Sequence, residues 1–240
     1  MQKLFIDYTP DETVILEGEQ ARHIAKSLRM KTGEMLTVCD ESGYDYGCII
    51  DEITKDTVRL KVCYRQASNS EPDCRVTIYQ GVPKGSKTED IIQKCVELGV
   101  TRIVPVLTAR CVSRPDEKQA QRKNQRYAKI ALEAAQQSGR GIIPKIDNMT
   151  SFHQALTEDD SDLKIIFYEG GGSPLTEIVD KNCKSVSVYI GPEGGFEKEE
   201  VELALSHGAK KATLGPRILR TQTAPVAALT SIMLLTGNLE

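Results

Sequence analysis

The spacing of apolar and polar residues differs between the first 70 residues and the rest of the chain. In the first part, short β-branched or aromatic runs are separated by turn residues, which is typical of strands. We predict strands at 3–7, 13–16, 35–39, 46–53 and 58–64, with one helix at about 20–28. Many short strands joined by tight turns indicate a small β-barrel.

From residue 76 onwards, apolar runs of strand length alternate with segments of helical periodicity, which indicates a parallel sheet covered by helices. Ser86 and Glu89 have the spacing of a capping box at the start of the first helix. The polar stretch 66–73 is interpreted as a linker. We therefore predict a barrel domain at 1–70 and an α/β domain at 71–240. The predicted strands are 76–80, 102–107, 163–168, 186–190 and 210–214, and the helices are 88–98, 118–137, 175–180, 198–206 and 224–235.

Composition narrows the class of protein. An apolar content of 40% and a charged content of 27% are ordinary for a soluble globular protein. No apolar run reaches the ~18–20 residues that cross a bilayer, and no signal peptide is evident. Seven cysteines, an odd number without a C-x-x-C pair, indicate free thiols in a reducing cytosol. The three histidines are far apart, so we expect a cytoplasmic protein without a metal site.

Charge is unevenly distributed along the chain. The net charge is −3, but residues 71–150 carry 14 Lys and Arg against 9 Asp and Glu. A basic middle could bind a polyanion. The alternative, favoured by charge alone, is one solvated face of the long helix. That face would be formed by Lys118, Arg122, Lys123, Arg126 and Lys129.

Three glycine-rich segments, 168–172, 191–196 and 215–221, each follow a predicted strand. Ligands of parallel sheets bind beyond the carboxyl ends of strands, and glycine lets a backbone approach a ligand closely. Glycine also serves tight turns, but three such loops at successive strand ends favour one shared pocket. The familiar nucleotide pockets are disfavoured, because 81–87 lacks P-loop spacing and no G-x-G-x-x-G follows the first strand of the domain.

Two of these segments carry a family resemblance. IGPEGGF at 190–196 and LGPRILRT at 214–221 are similar to the paired C-terminal signature of the bacterial RsmE family. That family comprises 16S ribosomal RNA methyltransferases of the SPOUT class that act on N3 of a uridine. The resemblance covers essentially the whole chain, through 23–33, 92–100 and 133–140. Two positions depart from the family pattern: Gln222 replaces a usual glutamate, and Tyr127 replaces a common tryptophan.

The resemblance implies an α/β fold with a SPOUT-type C-terminal domain, a deep trefoil knot and a PUA-like N-terminal β-barrel that helps to select RNA. It implies that S-adenosylmethionine, held largely by backbone groups of the knot, methylates N3 of a specific uridine in 16S ribosomal RNA within the small ribosomal subunit. It also implies a homodimer, and the apolar helix 224–235 suits burial both in the knot and at the dimer interface. The alternatives are a SPOUT methylase of another base or of ribose, and a non-catalytic RNA-binding assembly factor.

The resemblance also nominates site residues. Uracil N3 carries a proton, so a cation that stabilises negative charge on the uracil oxygens would promote its loss. Arg217 and Arg220 are the candidates, with loop fixing or phosphate contact as the alternative. No histidine lies near these motifs in sequence, so no general base is named. The expected donor contacts are Glu169, Gly170, Gly191, Glu193, Gly194, Gly195, Leu214 and Leu219. The expected RNA phosphate contacts are Arg22, Arg29, Lys31, Arg110, Arg114 and Arg140, with plain surface charge as the alternative.

Overall fold

The computed structural model describes residues 3–239, which form two compact units. The first unit takes in the chain up to Glu71 together with Ala135–Ile143. The second takes in Pro72–Ala134 and the chain from Pro144 onwards. Within the described residues, no helix has both the length and the apolar content needed to span a bilayer. Each unit is built around its own sheet.

The first unit is a curled five-stranded sheet in the order β1-β3-β4-β5-β2, antiparallel except for the β1–β3 pair. In β2 the alternate residues Val14 and Leu16 are buried, as the period of two predicts. The predicted helix is present but changes type, from an α-helix to a π-helix at His23–Leu28. The elements are β1 (Lys3–Phe5), β2 (Thr13–Glu17), α1 (Gly18–Arg22), β3 (Met35–Cys39), β4 (Tyr44–Ile53) and β5 (Thr57–Ala67).

Two buried ion pairs connect segments of the first unit that are far apart in the sequence. The ammonium group of Lys3 donates to Asp45 at 2.7 Å, and both side chains are buried. Arg140 is only 3% exposed, and its guanidinium pairs with Glu71. In place of the exposed phosphate contact that we predicted for Arg140, the structure therefore shows a buried ion pair. Removing one partner of such a pair leaves an uncompensated buried charge, so Arg140 holds the segment 135–143 against Glu71.

The second unit has an eight-stranded parallel sheet in the order β11-β13-β10-β12-β6-β7-β8, with β9 also pairing with β7. Its strands are β6 (Arg75–Gly81), β7 (Arg102–Leu107), β8 (Lys145–Ile146), β9 (Thr150–Ser151), β10 (Leu163–Phe167), β11 (Ser173–Pro174), β12 (Ser185–Ile190) and β13 (Lys210–Thr213). Its helices are α2 (Lys87–Glu97), α3 (Glu117–Ser138, which ends in the first unit), α4 (Phe152–Glu158), α5 (Leu175–Ile178), α6 (Lys198–Ser206) and α7 (Ala224–Leu235).

The predicted alternation of strands and helices is confirmed, and two local predictions need correction. Ser86 precedes α2 but makes no side-chain capping hydrogen bond, and the carboxylate of Glu89 accepts from Arg126 at 2.6 Å. A capping box does occur at the start of α6, between Glu197 and Glu200. The short elements β8, β9, α4 and β11 were not predicted, because two to seven residues are too few to show a period.

A buried carboxylate lies beneath the sheet of the second unit. Asp159 is 6% exposed and accepts hydrogen bonds from Ser187 and from the hydroxyl of Tyr189 at 2.7 Å. The ring of Tyr189 stacks on that of Tyr79, with 4.5 Å between the ring centroids. Burial, with the nearby charge of Asp159, raises the pKa of Tyr189 well above its ordinary value, so this hydroxyl remains a donor.

This network predicts the effect of one substitution on stability. We expect Tyr189→Phe to lower the free energy of unfolding by about 1–3 kcal/mol, because a buried acceptor loses a donor. Denaturant unfolding measures the change. Tyr79→Phe is the matched control, since it keeps the ring stack but removes a hydroxyl that makes no hydrogen bond to Asp159. Equal stability of the two variants would contradict a role for the Tyr189 hydroxyl.

Candidate functional site

The three glycine-rich loops meet at one edge of the parallel sheet. They follow β10, β12 and β13, and in the sheet β10 lies between the other two strands. Because these strands are parallel, their carboxyl ends lie side by side. The loops line a cleft with a volume of about 1020 Å³. The prediction of a shared pocket is therefore matched by a cavity large enough for a ligand of cofactor size.

Most of the nominated pocket residues line this cleft. Gly170 does not, although its neighbour Gly171 does; a Cβ on Gly170 would lie 2.3 Å from the ring of Tyr168. Glycine at 170 therefore makes room for a side chain that itself lines the cleft. The nominated residues that line the cleft are Glu169, Gly191, Glu193, Gly194, Gly195, Leu214, Arg217, Leu219 and Arg220.

Glycine is required here chiefly because segments of the cleft wall pack closely against one another. A Cβ on Gly191 would lie 2.9 Å from the backbone of Gly195, and one on Gly81 would lie 2.6 Å from the ring of Pro192. Gly195 has a φ of +67°, and the Glu169 carboxylate would be 2.7 Å from a Cβ there. Since backbone and a left-handed conformation leave no room for a side chain, these glycines set the shape of the cleft wall.

Gln80, at the end of β6, ties the loops together and was not predicted as a site residue. Its side chain is buried and donates to the Thr221 hydroxyl at 3.1 Å and more weakly to the carbonyl of Gly191 at 3.4 Å. The Thr221 hydroxyl donates in turn to that same carbonyl at 2.9 Å. The signal in the sequence was an uncharged polar residue at the end of a mostly apolar predicted strand.

Glu193 anchors the middle loop to the start of α2. Its carboxylate accepts from Lys87 Nζ at 2.6 Å and from the backbone N–H of Lys84 at 3.1 Å. Burial alone would raise the pKa of Glu193, but the hydrogen bond from Lys87 and those from backbone groups outweigh it and lower the pKa. Glu193 therefore remains ionised at neutral pH, which makes it a poor general base.

The two nominated arginines lie exposed in the third loop. Within residues 3–239, neither guanidinium of Arg217 and Arg220 has a hydrogen bond or ion pair. Between them Ile218 is 89% exposed, and Gln222 lines the cleft beyond them. Unpaired cations beside a cleft are available to an anionic group, which fits a substrate role better than fixing of the loop.

The nominated RNA contacts lie in both units. Arg110 and Arg114 are exposed but also donate to backbone carbonyls: Arg110 to Gly194 at 2.8 Å, and Arg114 to Thr108 at 2.8 Å. Arg110 thus supports the middle loop of the cleft. In the first unit the exposed residues are Arg22, Arg29 and Lys31, of which Arg29 has a left-handed φ of +53° at the end of the π-helix.

The cysteines lie outside the lining of the cleft. All seven cysteines are free, and burial raises the pKa of Cys95 to about 12 and that of Cys74 to about 11. Such thiols stay protonated and unreactive. In the part of the chain that the structure describes, no group of three or more His, Cys, Asp and Glu side chains is arranged to hold a metal ion.

Comparison with known families agrees with this organisation. Residues 69–233 match the RNA methyltransferase domain family, and residues 16–63 match the RNA methyltransferase PUA domain family. The ribosomal RNA small subunit methyltransferase E of Bacillus subtilis is 38% identical, over 97% of this chain and 96% of the relative.

Solved structures give the same result. The ribosomal RNA small subunit methyltransferase E of Neisseria gonorrhoeae, bound to S-adenosyl methionine, is 28% identical with a TM-score of 0.90, and 98% of each chain is covered. A Legionella pneumophila protein in complex with the bound cofactor SAM is 30% identical with a TM-score of 0.87, covering 97% of this chain and 96% of that one. With a methyltransferase domain over most of its length, a PUA domain before it and relatives aligned end to end, the chain belongs to the family of ribosomal RNA small subunit methyltransferases E.

Proposed function

We propose that this enzyme transfers a methyl group from S-adenosylmethionine to N3 of a specific uridine in 16S ribosomal RNA. The observation that carries the proposal is the cleft formed by three loops, whose lining suits this donor. Gly191 and Gly195 form part of the cleft wall with backbone alone, Leu214 and Leu219 supply apolar walls, and Glu169, whose carboxylate lies against Gly195, supplies a negative charge for a cationic group. When bound, S-adenosylmethionine supplies a methyl group on a positively charged sulfur, which N3 takes up while the sulfur keeps the bonding electron pair.

The residues of the chain act by orienting the donor and by stabilising the deprotonated base. The hydrogen bonds among Gln80, Thr221 and the carbonyl of Gly191 hold the end of β6 and the third loop against the middle loop. Loss of the N3 proton to solvent leaves negative charge on the uracil ring and its two oxygens, and unpaired guanidiniums stabilise it. We assign that role to Arg217 and Arg220, which lie in the cleft without partners among the described residues.

We propose a deep trefoil knot at the C-terminal end and domain limits of 1–70 and 71–240. The chain path supports the knot: β13 lies beyond β10 in the sheet, yet α7 packs against β6, β12 and α2. The chain between them therefore returns across the ends of β10 and β12. The N-terminal barrel selects the RNA, with Arg22, Arg29 and Lys31 as exposed candidates for phosphate contacts.

We further propose that the enzyme acts as a C2 homodimer on the small ribosomal subunit in the cytoplasm. The dimer is supported by apolar side chains that a single copy leaves exposed. Ile218 is 89% exposed beside the cleft, and Leu234 of α7 is 56% exposed although Leu229 and Ile232 on the same helix are fully buried. A symmetric contact that covers such residues would place each cleft near the partner subunit.

Methyl transfer to a defined substrate tests the proposed function. Small ribosomal subunits from cells that lack the enzyme should accept labelled methyl groups from S-adenosylmethionine, and nucleoside analysis should find 3-methyluridine. A different methylated base or 2′-O-methylribose would overturn the assignment of uridine N3. Absence of donor binding by calorimetry would instead favour an assembly factor without catalytic activity.

A further inference from the structure

The cleft contains a third cation that the sequence motifs did not nominate. The basic side chains among its lining residues are Lys87, Arg217 and Arg220. The two arginines lie on one exposed loop, whereas Lys87 is the first residue of α2 and pairs with Glu193. Lys87 thus approaches the cleft from a regular helix that is packed into the sheet domain.

Unlike the two arginines, Lys87 is held in position by an ion pair within the described part of the chain. Its Nζ lies 2.6 Å from Glu193, and the side chains of the two residues are about one-third exposed, at 36% and 31%. Glu193 is in turn anchored by the backbone N–H of Lys84. An ammonium group has three donors, so one contact with Glu193 leaves two free. The geometry presents an oriented hydrogen-bond donor at the cleft without the cost of ordering it during the reaction.

We propose that Lys87 is a further catalytic residue, which donates a hydrogen bond to a uracil oxygen next to N3. This inference rests on the proposed function. The N3 proton passes to solvent, the electron pair left on N3 is delocalised onto the adjacent oxygens, and Lys87 stabilises that charge while it stays protonated. The same pair then forms the new bond to carbon. Glu193 is a positioning residue, because it orients Lys87.

Substitution of Lys87 tests the role with the full-length enzyme and small ribosomal subunits. We expect Lys87→Met to lower kcat by about 30-fold, below the usual loss for one such donor because Glu193 already offsets part of its charge. Donor affinity should change little, and Lys87→Arg should restore most of the rate. Lys198→Met is the matched control, since Lys198 also pairs with a glutamate of this unit, at 3.9 Å from Glu202.

A uracil whose N3 proton is more acidic distinguishes a catalytic role of Lys87 from a structural one. Fluorine at C5 of uracil withdraws electrons and makes N3 easier to deprotonate, so help from Lys87 matters less. On subunits that carry 5-fluorouridine, the deficit of Lys87→Met should shrink to about threefold. An equal deficit on both substrates would overturn the proposal, because a merely structural defect slows both reactions alike. The double variant Lys87→Met/Glu193→Gln should stay slow; its recovery would assign the loss to an unpaired Glu193.

Failure of this inference is distinguishable from failure of the proposed function. Wild-type enzyme that forms no 3-methyluridine on either substrate contradicts the function itself. Wild-type enzyme that forms it, together with a Lys87→Met variant of equal kcat, contradicts only the role of Lys87. A variant whose apparent KM for the subunit rises at unchanged kcat would also overturn the proposal, since that result makes Lys87 a contact of the RNA backbone.

Discussion

Replacing Arg217 or Arg220 with alanine should lower kcat by about 100- to 1,000-fold while S-adenosylmethionine still binds with near wild-type affinity. Neither guanidinium has a polar partner among the described residues, so its removal breaks no hydrogen bond or ion pair of the fold. What is lost is stabilisation of negative charge that develops on the base, and this loss appears in kcat. Single-turnover methylation of small ribosomal subunits measures the rate, and calorimetry measures donor affinity.

Arg122→Ala is the control for the two arginine variants. Arg122 is an exposed arginine on α3, outside the lining of the cleft, and should leave kcat unchanged. If Arg217→Ala or Arg220→Ala raises only the apparent KM for the subunit, that arginine is a phosphate contact. If the substitution weakens donor binding instead, that arginine serves to hold the loop. Either outcome would contradict the assigned stabilisation of the uracil anion.

Replacing Gly191 with valine should weaken binding of S-adenosylmethionine by about 10- to 100-fold, because overpacking of this kind commonly costs about 1–3 kcal/mol. Even the first carbon of a side chain there would lie 2.9 Å from the backbone of Gly195. The backbone cannot move aside as a flexible side chain can, so the parts of the loop around Gly191 and Gly195 must separate. The carbonyl of Gly191, which accepts from Thr221, moves with them.

Gly194→Ala, in the same loop, is the matched control for Gly191→Val. The three atoms nearest to a Cβ at 194 would be side-chain atoms of Arg110, at 3.1–3.8 Å, and no backbone atom is among these three. We expect a loss of donor affinity of less than about tenfold, since one methyl group makes a smaller overlap there than valine makes at 191. Circular dichroism and thermal melts establish that both variants are folded. Donor binding by Gly191→Val at wild-type strength would show that the loop contact does not shape the cleft.

The sequence by itself was sufficient for the long elements and for the location of the pocket. The strand Arg102–Leu107 and the helices Lys198–Ser206 and Ala224–Leu235 have the predicted bounds, because strong local patterns and capping or turn residues define them. Glycine-rich loops after three successive strands predicted a shared pocket, since the carboxyl ends of parallel strands share an edge. The family signature then supplied the expected donor, substrate and candidate arginines.

Other features depend on residues far apart in the chain, and only the tertiary structure decided them. The sequence spacing predicted that Glu89 caps the start of its own helix, but its carboxylate accepts from Arg126, 37 residues later. Gln80 bonds to Thr221 across 141 residues, and Lys87 pairs with Glu193 across 106. Arg140 looked like a surface cation but is buried against Glu71. A local sequence pattern specifies the helix or strand to which a residue belongs, whereas the side chains that it contacts are set by the packing of the whole chain. For Lys87, that packing produced a candidate catalytic group.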